Sequence, residues 1–321
     1  MTEFSISRLG PEHANAISQC FVSVYGTTYA NELFYNLKDL AAALESGALK
    51  SVGAFDEQGA LVGHMAMVTP DPASIYPELG NTVVSPSARG GGLAWKVGAE
   101  LRAWSEALGY SGFVHFPTTD HHIMQQQSVK AGFEVGLMLG YIPAQTDGQV
   151  KAESASRLRG AATIVYEPYG AEQPALGLFI PQRYAELVQT LAGATQLPRT
   201  WTASKGEITT KSVVTTRYLE KRDLRRIHVA RVGQDVEEQL AMQPHNQAAC
   251  TQLDCRLDDP GVDHVVEKAI GLGYRFCGWV PGRFDTDVLR LQQVDEARTD
   301  LKPEVVNPVA QNLLGEILAD E

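Results

Sequence analysis

The sequence predicts an α/β (α+β) fold, a mixed sheet flanked by helices that is followed by a second, degenerate domain of the same type. Three observations predict it. Hydrophobic periodicity gives the order β-α-α-β-β-β-α-β-α-β over residues 4–143. A turn of three glycines at 90–92 separates a β-branched strand from a long amphipathic helix. After a polar stretch, a second series of strands and helices repeats features of the first.

The elements of the first half follow from residue spacing. Alternating side chains predict a strand at 4–9, and apolar residues at helical intervals predict a helix at 11–25. An aromatic-rich loop at 26–36 precedes a second helix at 37–45. The elements predicted after these are strands at 50–55, 60–68 and 79–85, a helix from Leu93 to about 108, a strand at 112–116, a short helix at 121–131 and a strand at 133–141.

The glycine turn is predicted to bind an anion, because glycines let backbone N–H groups converge and a helix start adds unpaired N–H groups. The turn lacks the Gly-Lys-Ser/Thr ending of a P-loop, and Trp95 occupies the third glycine position of a G-x-G-x-x-G frame. The frame that fits is Arg-x-x-Gly-x-Ala. Its residues are Arg89, Gly90, Gly91, Gly92, Leu93 and Ala94.

This frame, with Val83 and Val84 in the strand before it, resembles the pyrophosphate loop of the GNAT superfamily of N-acetyltransferases. The element order of residues 4–143 is similar to the GNAT fold as well. The resemblance implies that the turn holds the diphosphate of acetyl-CoA, the co-substrate, and that the strands before and after it splay around the thioester. It also implies that the aromatic loop shapes the acceptor pocket; a packed lid without a role in specificity is the alternative.

The resemblance implies candidates for proton transfer. Glu78, at the start of the strand before the turn, is the first candidate for the base, and a solvated strand-end carboxylate is the alternative. His115 is the second candidate, with a structural role as its alternative. Ser128 stands where relatives often carry the acidic tyrosine, so Tyr141 or Tyr110 could replace it.

Residues 145–160 are polar and lack periodicity, which predicts a linker between domains at 1–144 and 161–321. Gly132-Phe133 before one strand is matched by Gly273-Tyr274 before another, so the second domain resembles a worn repeat of the first. Its elements are predicted as strands at 162–166, 207–219, 226–232, 251–257, 274–280 and 288–294, and helices at 182–191, 235–242 and 262–272.

The counterpart of the glycine turn, at 230–235, has a single glycine, and Asp235 would repel a diphosphate. The second domain is therefore predicted to lack a CoA site. After it, the tail at 302–321 is predicted to pack back on the body as a helix. The residues that recur at helical spacing there are Val305, Val309, Leu313 and Ile317.

Composition narrows the functional classes. The 321 residues are 44% hydrophobic and 20% charged, as in a globular protein of two domains. The net charge of −11 argues against nucleic-acid binding and is compatible with a cationic amine. The four cysteines are scattered, no apolar stretch is long enough to span a membrane and the N-terminus is not basic, so a cytoplasmic protein is expected. Neighbouring His121 and His122 point in different directions on a helix, so no metal site is expected.

The function that these patterns favour is acetyl transfer from acetyl-CoA to a primary amine of a small molecule or a protein. A non-catalytic acyl-CoA sensor is the alternative, and a longer acyl donor or an O-linked acceptor is a third hypothesis. The aromatic stretch at 25–35, the pair His122 and Gln126, and Gly-Trp-Val-Pro at 278–281 look like a bacterial group of tandem GNAT-like proteins. Assembly as a homodimer is left open.

Overall fold

The computed structural model describes residues 4–69, 71–120, 122–144, 158–170, 172–206, 208–243 and 248–320. These form two compact units. The first unit contains 4–69, 71–72 and 76–113, and the second contains 73–75 and the described residues from 114 onward. Most of the predicted linker, 145–157, lies outside the described residues. The division into domains at 144 and 161 stays a prediction.

The first unit is an antiparallel sheet covered by three helices. Its strands pair in chain order, with Ser5 opposite Phe55 and Gly63 opposite Val84 in the register. The strands are β1 (Ser5–Leu9), β2 (Leu49–Phe55), β3 (Leu61–Val68) and β4 (Glu78–Val84), and the helices are α1 (Ala14–Tyr25), α2 (Leu37–Glu45) and α3 (Leu93–Ala107).

The predicted apolar stripes build the core of this unit. From α1, Ile17 and Phe21 are buried against Phe34 of the aromatic loop and Leu40 of α2. From α3, the stripe of Leu93, Val97 and Leu101 is buried. Helix α3 therefore buries three residues of its predicted stripe, whereas Trp104, also in that stripe, is half-buried and Leu108 is exposed. The chain then enters β5 (Gly112–His115), α4 (His122–Ala131) and β6 (Phe133–Ile142), which confirms the predicted element order and the mixed α/β class.

The second unit contains a sheet in which β6 lies beside β13 (Arg275–Val280). The order is β7-β6-β13-β14-β12-β11-β10, and only β11 and β12 are parallel among these pairs of described strands. The strand predicted to open the second domain is β7, and it pairs with β6. The bounds are β7 (Gly160–Pro168), β8 (Leu176–Ile180), β9 (Arg199–Ala203), β10 (Val213–Leu219), β11 (Leu224–Arg231), β12 (Cys250–Arg256), β13 (Arg275–Val280) and β14 (Val288–Val294).

Helices cover this sheet, and the predicted carboxyl-terminal helix is shorter than expected, with Leu313 and Ile317 buried as predicted. Its carboxyl-terminal helix α8 (Pro308–Ala319) buries Ala310, Leu313 and Ile317, whereas Val309 is exposed and Val305 precedes the helix. The buried Glu134 carboxylate accepts the Ala310 N–H at 3.1 Å, which caps the helix. The other helices are α5 (Ala185–Thr195), α6 (Val236–Ala241) and α7 (Val262–Gly271).

Two short strands were missing from the prediction. Strands β8 and β9 form a separate parallel ribbon. Buried Arg199 of β9 binds both oxygens of buried Asp287 at 2.7 and 3.1 Å. A bidentate ion pair thus fixes β9, whereas β8 buries Leu178 and Ile180 at alternate positions, a periodic signal that the prediction missed.

The contact between β6 and β13 requires glycine on both strands. Gly136 lies opposite Gly278, and a Cβ on Gly278 would come within 2.6 Å of the Gly136 Cα. The two glycines lie on β6 and β13. These are the two strands that the sequence analysis matched through Gly132-Phe133 and Gly273-Tyr274.

Gly278→Ala should destabilise the protein by about 1–3 kcal/mol, the cost of forcing extra volume into a packed interior. Urea unfolding measures it. Gly315→Ala is the control, because Gly315 lies inside α8 with open space at its Cβ position, and alanine there should stabilise by roughly 0.5–1 kcal/mol. Equal effects of the two changes would show that the two strands have room to separate.

Candidate functional site

The glycine turn lies between β4 and α3, as predicted. Gly90 has a φ of +87° and Gly92 a φ of +69°, the left-handed region in which glycine is favoured. A Cβ placed on Gly90, Gly91 or Gly92 would meet nothing within 4 Å. The chain itself therefore leaves open space over all three glycines, and a bound group can approach the backbone there.

The backbone N–H groups of this turn are available to a ligand. The first bond of the α3 ladder runs from the Lys96 N–H to the Gly92 carbonyl, at 3.2 Å. Within the described residues, the N–H groups of residues 90–95 donate no backbone hydrogen bond of good geometry. Together with the positive end of a 15-residue helix dipole, this arrangement favours an anion.

The charges beside the turn suit an anion. Arg89 is exposed and donates through Nε to the Val84 carbonyl at 3.2 Å, which holds the guanidinium next to the turn. Lys96 is exposed on the first turns of α3. Neither cation has a carboxylate within 4.0 Å among the residues that the structure describes. In a chain of net charge −11, this turn is locally basic.

The other residues predicted to bind CoA lie on either side of the turn and support it by packing. Val83 and Leu93 are buried, and the Leu93 side chain packs against Gly63 of β3. Val84 and Ala94 are half-buried. The side chains of Val83 and Leu93 therefore fix the turn on the sheet, and a ligand would meet their backbone.

Strand β4 carries a bulge that the sequence analysis did not identify. His64 lies opposite Val83 while Ala66 lies opposite Gly80, so the bulge occupies Asn81 and the residue after it. Asn81 has a φ of +51°, in the left-handed region that non-glycine residues seldom adopt. The bulge breaks the regular pairing of β4 in the middle of the strand.

A buried histidine holds this bulge in place. His64 Nδ1 lies 2.8 Å from the Asn81 carbonyl oxygen, and Nε2 lies 3.0 Å from Ser51 Oγ. A carbonyl only accepts, so Nδ1 carries the proton and Nε2 accepts from the serine hydroxyl. Burial lowers the pKa of His64 to about 4, partly offset by the hydrogen bond to Asn81. The ring is neutral at pH 7, with Phe21 and Phe34 edge-on to it at 5.4 and 5.6 Å between ring centroids.

The aromatic loop meets the same bulge from the other side. The Tyr29 hydroxyl donates to Asn81 Oδ1 at 3.3 Å, and Asn31 Nδ2 lies 3.5 Å from the same oxygen. Tyr29 also stacks on Tyr25, with ring centroids 5.0 Å apart. Phe34 is fully buried, so part of the loop is core, while Tyr25, Tyr29 and Asn31 are half-buried. Phe34 thus packs the loop into the core, while Tyr29 and Asn31 place polar groups at the bulge.

Glu78 is half-buried at the first residue of β4, opposite Val68. At about 3.3 Å per residue, the strand separates it from Val84 by roughly 20 Å. Glu78 and the glycine turn therefore occupy opposite ends of one strand, with the Asn81 bulge between them.

The other two catalytic candidates belong to the second unit. His115 Nε2 lies 3.8 Å from Glu167 Oε2, and both side chains are buried. Ser128 is buried on α4. Of the two tyrosines considered as replacements, Tyr141 accepts hydrogen bonds from arginines of the second unit, whereas the Tyr110 hydroxyl is 3.4 Å from Thr69 Oγ1 in the first unit. Of these candidates, Glu78 and Tyr110 share their unit with the glycine turn.

The counterpart turn at 230–235 is covered by its own chain. A Cβ on Gly233 would collide with the backbone of Lys211 and Ser212. Asp235 accepts the Ser212 N–H at 2.6 Å, which lowers the pKa of that carboxyl, and Gly233 donates to Ser212 Oγ at 2.9 Å. The strand predicted at 207–219 is shorter in the structure. Only β10 (Val213–Leu219) forms, because residues 209–212 fold over the turn at 230–235.

Two features are absent from the described residues, a metal-binding cluster and a helix that could span a membrane. No group of three or more His, Cys, Asp and Glu side chains is placed to hold a metal ion there. None of the described helices combines the length and the apolar character that crossing a membrane requires.

The free energy of unfolding should fall as the pH drops from about 6.5 to about 4. Over this range the unfolded chain protonates His64 at its ordinary pKa of 6.5, whereas the folded ring, with a pKa of about 4, stays neutral. The expected loss is about 3 kcal/mol, at ~1.36 kcal/mol per pKa unit. Urea unfolding at several pH values measures it, and the difference between the wild type and His64→Phe should narrow toward pH 4. Parallel curves for the two proteins would contradict the lowered pKa.

Comparisons with known proteins find similar structures but no similar sequence. No protein-family model and no curated protein matches the chain. The solved structure of yncA from Salmonella typhimurium, with its cofactor acetyl-CoA, matches 54% of this chain and 98% of its own at 12% identity and a TM-score of 0.42. The GNAT-superfamily phosphinothricin acetyltransferase from Sinorhizobium meliloti, in complex with acetyl-CoA, matches 52% of this chain and 89% of its own at 18% identity and a TM-score of 0.40.

An acetyltransferase of the GNAT family from Staphylococcus aureus Mu50 matches 52% of this chain and 99% of its own, at 9% identity and a TM-score of 0.37. The structural neighbours are consistent with the GNAT resemblance of the sequence. At these identities and TM-scores they carry no argument about activity, which has to come from the residues of the chain itself.

Proposed function

We propose that the protein is an acetyl-CoA-dependent N-acetyltransferase that acetylates a primary amine. The observation that carries the proposal is the open glycine turn at the start of α3, with Gly90 and Gly92 in the left-handed conformation and no atom of the chain over the glycines. Several N–H groups, a helix dipole and two cations converge there, which is the chemistry that binds a diphosphate.

The bulge in β4 supports a thioester site further along the same strand. In a regular antiparallel ladder, alternate residues of β4 would exchange hydrogen bonds with β3, whereas the bulge at Asn81 interrupts this pattern. An acetyl-CoA molecule with its diphosphate on the turn would place its extended pantetheine arm along β4, toward Asn81 and Glu78. The reacting carbonyl would then lie near the strand end that Glu78 occupies.

The surroundings of the bulge suit an amine acceptor. Tyr25 and Tyr29 present half-buried aromatic faces, and an ammonium group is attracted to such faces. Asn31 and Asn81 add amide groups that can orient a polar acceptor. The acidic net charge of the chain favours the approach of a cation.

Transfer requires removal of a proton from the ammonium group, and the structure limits which residue can accept it. His64 is unsuited because its Nδ1 proton is committed to the Asn81 carbonyl and its Nε2 accepts from Ser51. Glu78 remains the candidate base, directly or through water. The departing CoA thiolate needs less help, since thiols have pKa values near 8.5 and leave as weak bases. The absence of a tyrosine at Ser128 is therefore compatible with transfer.

The test is release of free thiol from acetyl-CoA in the presence of a panel of small amines and lysine peptides. Release that depends on one amine class supports the proposal. Tight CoA binding without release for any amine would favour the acyl-CoA sensor instead, and release with only longer acyl donors would revise the donor.

Gly92→Asp should abolish CoA binding, because it places a carboxylate and a side chain where the diphosphate would lie. Calorimetry should show one CoA per chain for the wild type and none for the variant. Gly59→Asp is the matched control: Gly59 has a φ of +79°, is exposed in the turn between β2 and β3 and has nothing near its Cβ position. The control adds the same strain and charge away from the turn and should leave the affinity unchanged. Equal affinity for Gly92→Asp would remove the basis of the proposal.

Glu78→Gln should lower turnover roughly 100-fold or more, the usual scale for loss of a general base. The acidic limb of the rate-versus-pH profile should disappear, and CoA affinity should stay nearly unchanged because Glu78 is at the far end of β4 from the turn. His115→Ala is the control, expected to reduce stability rather than to change the pH profile. Full activity and an unaltered profile for Glu78→Gln would leave Glu78 as a strand-end carboxylate.

A further inference from the structure

Trp95 is an exposed aromatic residue on the first turn of α3. Its side chain is 55% exposed, whereas Trp104, later on the same helix, is half-buried beneath the Arg8 guanidinium at 4.9 Å. Tryptophan is the largest apolar side chain and is usually buried or in contact with a partner. Its neighbours in sequence on this surface are exposed glycines and Lys96, so it is not part of an apolar run.

The position of Trp95 relates it to the glycine turn. It is the third residue of α3, and a helical side chain leans toward the helix N-terminus, so the indole leans toward the preceding turn without coming within 4 Å of its Cβ positions. The preceding turn is the glycine segment at 90–92, over which the chain leaves open space. The indole is thus placed beside the proposed diphosphate site, with Lys96 next to it.

We propose that Trp95 is the platform on which the adenine base of CoA stacks, so that the turn and the indole together recognise an adenine nucleotide. This inference rests on the proposed function and adds the part of the ligand that gives affinity beyond the diphosphate. An aromatic ring beside an anion site fits a ligand that has a flat base close to a diphosphate, and a base stacks on such a ring through its π-face.

The test measures CoA and ADP binding to Trp95→Ala and Trp95→Phe by calorimetry. Trp95→Ala should weaken both ligands roughly 10-fold or more, the scale of base–aromatic stacking, and Trp95→Phe should recover most of the loss. In the wild type, CoA should quench the tryptophan fluorescence, and that quenching should be absent in Trp95→Phe, which keeps the other three tryptophans.

The matched control is Leu108→Ala, because Leu108 is 46% exposed at the opposite end of α3, about 20 Å from Trp95 along the helix. It should leave CoA affinity and quenching unchanged. CoA binding to Trp95→Ala with wild-type affinity would overturn the platform while leaving the diphosphate site in place. Failure of the wild type to bind CoA would overturn the proposed function itself, so the two failures are distinguishable.

Discussion

The first unit depends on how strand β4 and the turn after it are bent. Two departures from regular backbone, one at Asn81 and one over Gly90 and Gly92, interrupt what would otherwise be a continuous strand and helix start. At the first departure the Asn81 carbonyl bonds to His64, and at the second the N–H groups at the start of α3 have no intrahelical partner. The His64 ring holds the first bend and the buried Leu93 side chain anchors the second. The packing of the unit therefore maintains both departures from regular backbone.

In the second unit, the counterpart of the glycine turn is covered by the chain instead of being open. At 230–235 the chain supplies its own ligands, since Ser212 and Thr209 bond to the turn and Gly233 has no room above it. The sequence analysis predicted that this turn lacks a CoA site because Asp235 would repel a diphosphate. In the structure Asp235 is an internal acceptor for the Ser212 amide, and a Cβ on Gly233 would meet the backbone of Lys211 and Ser212. The absence of a CoA site there stays a prediction.

The sequence predicted what periodicity and a local motif encode. The order of elements over 4–143, the glycine turn and the buried face of α3 follow from residue spacing, and the structure contains all three. It did not predict His64 or the Asn81 bulge, because a bulge depends on pairing with a neighbouring strand and a single histidine in an apolar strand carries no signal. The β8–β9 ribbon was missed although β8 alternates, with Leu178 and Ile180 buried. Strand β9 buries no residue in this way and is held by the ion pair of Arg199 with Asp287, which are far apart in the chain.

Charge distinguishes a binding site from a scaffold in this protein. Buried carboxylates of the second unit are used internally: Arg290 binds Asp254 at 2.6 and 2.8 Å and, against the effect of burial, brings the pKa of that carboxyl to about 2. Asp287 likewise accepts from Arg199, Trp279 and Gly282. Removing one partner would leave a buried charge, so these groups fix the fold. In the first unit, Arg89, Lys96 and the amides of the glycine turn lack such acceptors among the described residues. The proposed CoA site rests on this difference, because the polar groups at the glycine turn are left for a ligand to complete.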